Sequence, residues 1–338
     1  MLQKRATMKE IARQLNVAVS TVSRALSDHH NIGLGTKIKV RKLAEKLNFE
    51  SNERAVFFKQ GKTFTIGAIL PELSESFFST AMTGIEDTAA RNSYMVIVGQ
   101  SHNRADREKQ IVKTMKDHRV DGLVISLAKD TSSYEHFDML KRMNIPVVFF
   151  DRIPQLADVH YITCDMESGT IQAIDFLVKK NHSVIGMING PENNATCRER
   201  GAGYRKAMTK NKLGFDPGLI ISTDLTTEGT EEAMGRLLSL TPRPTAIIVF
   251  NDSVAVDAMK YARSNKLRIN KDICFVSYAS LPVSSYLANP PLASVDQYPY
   301  LQGQKATEVL LELLSGEDRG AAANYRIIVS SKLIVHKE

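Results

Sequence analysis

Long apolar runs are missing from this 338-residue chain: none approaches the roughly 18 residues needed to span a bilayer, which excludes a helical membrane protein. The amino terminus, MLQKRATMKE, carries charges with no apolar stretch behind them, so no export signal is expected. Cysteine is scarce. The three present, Cys164, Cys197 and Cys274, lie far apart and form no CxxC. That spacing excludes a disulfide framework or a thiolate metal knuckle and fits reduced thiols in a cytoplasm. Phosphate-cradling glycine motifs are also absent: no GxGxxG follows a strand-like run, and no GxxxxGK[ST] occurs. Gly201-Ala202-Gly203 is too short and misplaced for that role. The eight histidines show no metal-ligand spacing, and His29-His30 and His182 read as turn and helix-end residues. No catalytic residue, metal or cofactor is therefore expected, and the chain is read as a non-enzyme.

What is present is a soluble globular composition, 43% hydrophobic and 24% charged, on a chain long enough for two or three domains. The net charge of +7 is unevenly placed. Residues 1–62 hold 13 Lys and Arg against 5 Asp and Glu, a surplus of +8, while the remainder sums to −1. A basic module on a neutral body points to a polyanionic partner for that module; a solvated basic tail is the plainer alternative.

Thr7-Met8-Lys9-Glu10 has the spacing of a capping box, in which the Thr7 hydroxyl accepts from a first-turn amide and Glu10 reaches back to Thr7. Met8, Ile11, Ala12 and Leu15 then recur at helical spacing until Asn16-Val17 breaks the run. The next stretch, VSTVSRAL, places Val22, Ala25 and Leu26 on one face. Two short helices joined by a tight turn, with small Ala12 at their crossing, describe a helix-turn-helix. The outer side of the second helix is then Val19, Ser20, Thr21, Ser23 and Arg24, small enough for its backbone to settle into a major groove. Arg24 can donate twice to a guanine edge, Val19 can touch a thymine methyl, and Ser20 can serve either base. Thr21 and Ser23, with Thr7 at the first helix start, suit phosphate contacts that position without reading sequence. An ordinary amphipathic helix pair has the same periodicity; the segregated charge argues for DNA. A third helix, from about Lys37 to Leu47, completes the core with Val40, Leu43, Ala44 and Leu47.

From Thr63 onward, short apolar runs alternate with amphipathic stretches. Strands are expected at 64–70, 94–99, 122–127, 146–151, 184–189, 245–250, 273–278 and 325–335. Runs buried on both faces, with helices between them, indicate parallel sheets. Two similar subdomains with a cleft between are expected, divided near Cys164 and recrossed near Pro290. Ligands of such sheets lie at the carboxyl ends of strands, here near Pro71 to Phe78, Ser101-His102, Asp151-Arg152, Asn189-Gly190, Asn251-Asp252 and Tyr278-Ala279. Loop punctuation explains any one of these equally well.

The run TMKEIARQLNVAVSTVSRALSDHHNIGLGTKIKVRKLAEKLNFESN resembles the DNA-binding domain of the Lac repressor (LacI/GalR) family of bacterial transcription regulators. The resemblance implies base reading by Val19, Ser20 and Arg24. It implies a hinge helix over 49–62 that opens the minor groove, with Asn52 and Ala55 matching its pattern and Phe58 at the wedge position. Phe57 or Phe58 packing into the body is the alternative. Ser51 stands where proline is usual, and Ala18 and Gly33 stand where capping serines are usual. The segments SFFSTAMTGIED, RVDGLVISL, FFDR, RERGAGYRKAM, NDSVAVDAM and NPPLASVDQ resemble the family's periplasmic-binding-protein-like effector domain. By that resemblance Phe77, Phe78, Asp151, Arg200 and Asn251 bind the effector. Ala279 replaces an aspartate common in sugar-responsive relatives, and Glu75-Ser76 replaces Asn-Pro.

The fold expected is an all-α helix-turn-helix domain (1–48), a hinge (49–62) and an α/β effector-binding and dimerisation domain (63–338) of two parallel-sheet subdomains. The first comprises about 63–162 plus 293–323, the second about 163–290 plus 324–338. The function expected is a cytoplasmic repressor that binds a near-palindromic double-stranded DNA operator as a homodimer. A small-molecule effector, a sugar or sugar derivative, would control it. The alternatives are a solute-binding protein of a sugar transporter, opposed by the basic module, and a nucleotide-dependent enzyme, opposed by the missing motifs.

Overall fold

The computed structural model describes residues 6–49, 62–191, 195–279, 288–316 and 324–336. The chain divides into two compact units, residues 1–63 and 64–338.

In the first unit, α1 (Met8–Leu15), α2 (Val19–Leu26) and α3 (Leu34–Lys46) enclose a small core of Ile11, Ala12, Val22, Ala25, Val40 and Ala44. Asn16, at φ 53°, ends α1 in the left-handed region that asparagine tolerates. The capping box is half made: the Thr7 hydroxyl accepts from the Glu10 amide at 3.3 Å, and the Glu10 carboxylate has no bond among the described residues. Helix α3 begins three residues before the expected Lys37, because the Gly33 carbonyl already accepts from Thr36 and Lys37. Gly35 in its first turn hides that start from a propensity reading.

The second unit alternates strands and helices. Its elements run β1 (Thr65–Leu70), α4 (Ser76–Arg91), β2 (Met95–Gln100), α5 (Ala105–Asp117), β3 (Gly122–Ile125), α6 (Asp138–Arg142), β4 (Val147–Phe150) and β5 (His160–Cys164). They continue with α7 (Met166–Lys179), β6 (Ile185–Asn189), α8 (Ala195–Lys210), β7 (Ile220–Ser222), α9 (Thr227–Leu238), β8 (Ala246–Val249), α10 (Asp252–Ser264) and β9 (Cys274–Tyr278). The chain closes with β10 (Ala293–Asp296), α11 (Pro299–Ser315), β11 (Arg326–Val329) and β12 (Lys332–Val335).

Two six-stranded sheets result, ordered β11-β5-β4-β3-β1-β2 and β12-β10-β9-β8-β6-β7. Every pairing is parallel except β10 with β12. Both faces of each sheet are covered. Ile66, Ala68 and Leu70 of β1 face α4 and α11, whereas Ile69 faces α5. Double burial makes β1 a continuous apolar run instead of an alternating one. In the second sheet, Cys274, Val276 and Tyr278 face α7 and α8, while Phe275 faces α9 and α10.

Three strands, β5, β7 and β10, escape a hydropathy reading because HYITC, IIS and ASVD are short or interrupted by polar residues. Buried Ser294 of β10 is accommodated by a hydroxyl contact of 2.7 Å with Ser277. The expected run 325–335 is two strands in different sheets: β11 pairs with β5, and β12 pairs with β10. The expected subdomain limits are corrected accordingly. Strand 293–296 lies in the second sheet, laddered to β9, whereas 293–323 is expected in the first. Strand 326–329 lies in the first sheet, whereas 324–338 is expected in the second. The crossings fall after β5, after β10 and between β11 and β12, where backbone pairing changes partner. Among the described residues, no helix is long and apolar enough to cross a membrane.

Candidate DNA-reading face and effector cleft

Helix α2 buries Val22 and Ala25 and leaves Val19, Ser20, Ser23 and Arg24 exposed, with Thr21 half-buried. Neither the Arg24 guanidinium nor the hydroxyls of Ser20, Thr21 and Ser23 have a partner among the described residues, so their hydrogen-bonding capacity faces outward. Ala18 opens the helix with no side-chain cap, leaving its first amides to an outside acceptor. Behind α2, Asp28 at φ 56° bonds Lys37 at 3.1 Å and Arg41 at 3.0 Å. The Lys37 hydrogen bond, with the charges of Lys37 and Arg41, holds the Asp28 carboxyl below its usual range. That link fixes the α2–α3 turn to α3. Thr7 is exposed at the start of α1.

In the second unit the strand-end loops bring together groups from both sheets. Arg200, on α8, is 3% exposed. Its guanidinium carbon lies 4.3 Å from the centroid of Phe250 and 4.0 Å from that of Tyr278, and Nη1 donates to the Phe250 carbonyl at 3.1 Å. The Tyr278 hydroxyl is fixed by Thr170 at 2.5 Å. Nε of Arg200 is buried with no partner among the described residues. A desolvated, unused donor on a clamped cation is a costly arrangement unless a ligand acceptor fills it.

Asp151 follows β4 at φ 56°. Burial pushes its carboxyl above the usual range, and Arg152, Arg200 and a Ser126 hydrogen bond oppose the rise. Because Asp151 belongs to the first sheet and Arg200 to the second, their interaction spans the two subdomains. Arg152 stands over the Phe78 ring at 5.3 Å, bonds Asn103 and lies 3.9 Å from Asp151. Lys129 crosses to the Asp224 carbonyl at 3.1 Å.

Of the expected effector residues, Asp151 of the first sheet and Arg200 of the second lie near enough to interact electrostatically. Phe78 is 1% exposed and belongs to the first-sheet core, so it meets the cleft through Arg152. Phe77 is half-buried against Phe78, edge to face at 5.1 Å. Asn251 begins α10, where its Oδ1 accepts from the Val254 amide at 2.9 Å. Half of its amide therefore already serves the helix. The hinge residues Asn52, Ala55 and Phe58 lie outside the described residues. Arg152 and Tyr278 stand among the strand-end positions expected near a ligand, whereas Phe250, which clamps Arg200 with Tyr278, is missed because it closes the apolar run 245–250 itself. Ala279, at φ 93°, has a side chain that offers no acceptor. The three cysteines are buried and free, and burial pushes the Cys164 thiol up to about 12.

Residues 7–52 match the family described as bacterial regulatory proteins, lacI family. Residues 63–336 match periplasmic binding proteins and the sugar binding domain of the LacI family. The chain belongs to the LacI family. Within it, the chain is similar to the HTH-type transcriptional repressor PurR of Vibrio atlanticus (strain LGP32), 29% identical over 314 residues, 93% of each chain. It is also similar to the HTH-type transcriptional repressor CytR of Escherichia coli (strain K12), 28% identical over 321 residues covering 94% of this chain and 92% of that one. Among solved structures, the Lac repressor dimer bound to operator and the anti-inducer ONPF aligns over 98% of both chains, with TM-score 0.82 and 25% identity. This LacI-family member thus shares both the amino-terminal module and the two-sheet body with those regulators.

Proposed function

We propose that this protein is a cytoplasmic, homodimeric transcriptional repressor whose hold on a near-palindromic operator is set by a small-molecule effector, a sugar or sugar derivative. The observation that carries the reading is α2, whose exposed side presents small hydroxyl side chains and one unpartnered guanidinium, Arg24. Val19, Ser20 and Arg24 read bases, Thr7, Thr21 and Ser23 hold phosphates, and Asn52, Ala55 and Phe58 of the hinge enter the minor groove. Arg200, Asp151, Asn251 and Phe77 contact the effector, with Phe78 supporting Arg152 beneath it. The amino-terminal family match weighs against a transporter's solute-binding protein.

A second copy docks along β2. This edge strand exposes Met95, Ile97 and Val98 at 70%, 38% and 41%. A flat apolar edge of that kind calls for a partner, and a twofold copy supplies one. The dimer then presents two α2 helices to two half-sites about one helical turn apart. Effector binding acts through whichever subdomain arrangement it prefers.

Selection of duplexes from a random pool, repeated with Arg24→Ala at moderate ionic strength, tests the reading. A palindromic preference that Arg24→Ala weakens by about 1–3 kcal/mol is expected. Equal discrimination by both proteins overturns it.

A further inference from the structure

Glu75 is left over once the bonds of the cleft are assigned. It immediately precedes α4, yet its carboxylate does not cap that helix, and among the described residues it has no hydrogen bond or ion pair. Its neighbours are committed elsewhere. Glu72 bonds Gln100 at 2.6 Å and His102 at 3.1 Å, Arg152 bonds Asn103 and stacks on Phe78, and Lys129 reaches the Asp224 carbonyl. Half-buried Glu75 therefore shares the first-sheet wall with two other carboxylates, Glu72 and Asp151. Burial raises its carboxyl above the usual range, Asp151 and Glu72 add to the rise, and Arg152 and Lys129 oppose it. On the second-sheet side, Nε of Arg200, 3% exposed, has no partner among the described residues, and the Ala279 side chain has no acceptor to offer.

We infer that Glu75 selects an effector bearing a basic nitrogen, an amino sugar or comparable polyol amine, with its ammonium against Glu75 and its oxygens accepting from Arg200. This deepens the reading of the cleft as the effector site and rests on it. An ammonium donates charge-assisted hydrogen bonds to the unpaired carboxylate, stronger than a hydroxyl can offer. A carboxylate or phosphate in place of the ammonium forfeits those bonds and sets like charge against Glu75.

The test is calorimetric titration of the full chain with matched probes: D-glucosamine with D-glucose, D-galactosamine with D-galactose, and D-glucuronate. At least one amine is expected to bind about tenfold or more tightly than its hydroxyl partner, and more tightly than D-glucuronate. Glu75→Gln should erase the amine preference and Glu75→Asp keep part of it, with melting temperatures of both near the parent's. Equal binding of amine and hydroxyl, no binding by either amine, or an unchanged ratio in Glu75→Gln overturns the inference. The wild-type ratio decides the matter even if a variant fails to fold. Sugar binding that Arg200→Ala abolishes, without amine preference, sinks this inference alone. Binding that Arg200→Ala leaves intact places the ligand elsewhere and sinks the cleft reading as well.

Discussion

Arg200 and Asp151 show how a single side chain takes its properties from its surroundings. The Arg200 guanidinium is held between the Phe250 and Tyr278 rings, with the Phe250 carbonyl as acceptor, so ring faces and a carbonyl stand in for water around it. Asp151 is less well served: burial lifts its folded-state value above the ordinary 3.8 despite two arginines. A carboxyl raised in this way favours the folded state most below its unfolded value, and that contribution is lost as pH climbs through the raised folded value. Asp151→Asn has no such dependence. The melting temperature of the parent should therefore fall relative to Asp151→Asn as pH rises from about 4 toward neutrality, followed by thermal denaturation in matched buffers. On the proposed reading the same substitution should weaken effector binding, since it removes a carboxylate that interacts with Arg200 between the two sheets.

At the scale of elements, helix starts and helix crossings are the sensitive points. Ala18 begins α2 in extended conformation without a side-chain acceptor. Ala18→Ser supplies one and should stabilise the amino-terminal unit by about 1 kcal/mol, read from its denaturation midpoint. Helices α4 and α11 approach through glycines. A methyl at Gly303 would lie 2.1 Å from the Ala81 carbonyl oxygen, and one at Gly84 would lie 2.2 Å from that of Tyr300. Backbone atoms cannot step aside as a flexible side chain can. Gly303→Ala should therefore cost about 1–3 kcal/mol in urea denaturation, well beyond the change in helix propensity.

For the whole molecule, the proposed function turns on contact with a second copy. Met95→Lys puts a charge into the exposed apolar edge of β2, where the proposed twofold partner would bring like charge against like. Sedimentation should show a shift toward monomer. Operator affinity should drop by about a hundredfold or more as the second recognition helix loses its tether. Unchanged association would move the docking surface away from β2.

The sequence by itself determined the alternation of buried strands with amphipathic helices, and with it the parallel sheets, because double burial writes apolar runs directly into the chain. It also determined the character of α2: a small outer face and one arginine are composition at fixed helical spacing. Periodicity could not show which sheet each late strand joins, since IIVSSKLIV reads the same whether it pairs once or divides at Ser330-Ser331. Only the tertiary structure separated β11 from β12 and moved β10 to the second sheet, because pairing partners are set by neighbours far away in sequence. It likewise brought Phe250 and Tyr278 around Arg200 and left Glu75 without a partner. Burial and proximity across a cleft depend on two subdomains meeting, and no local pattern of residues encodes that meeting.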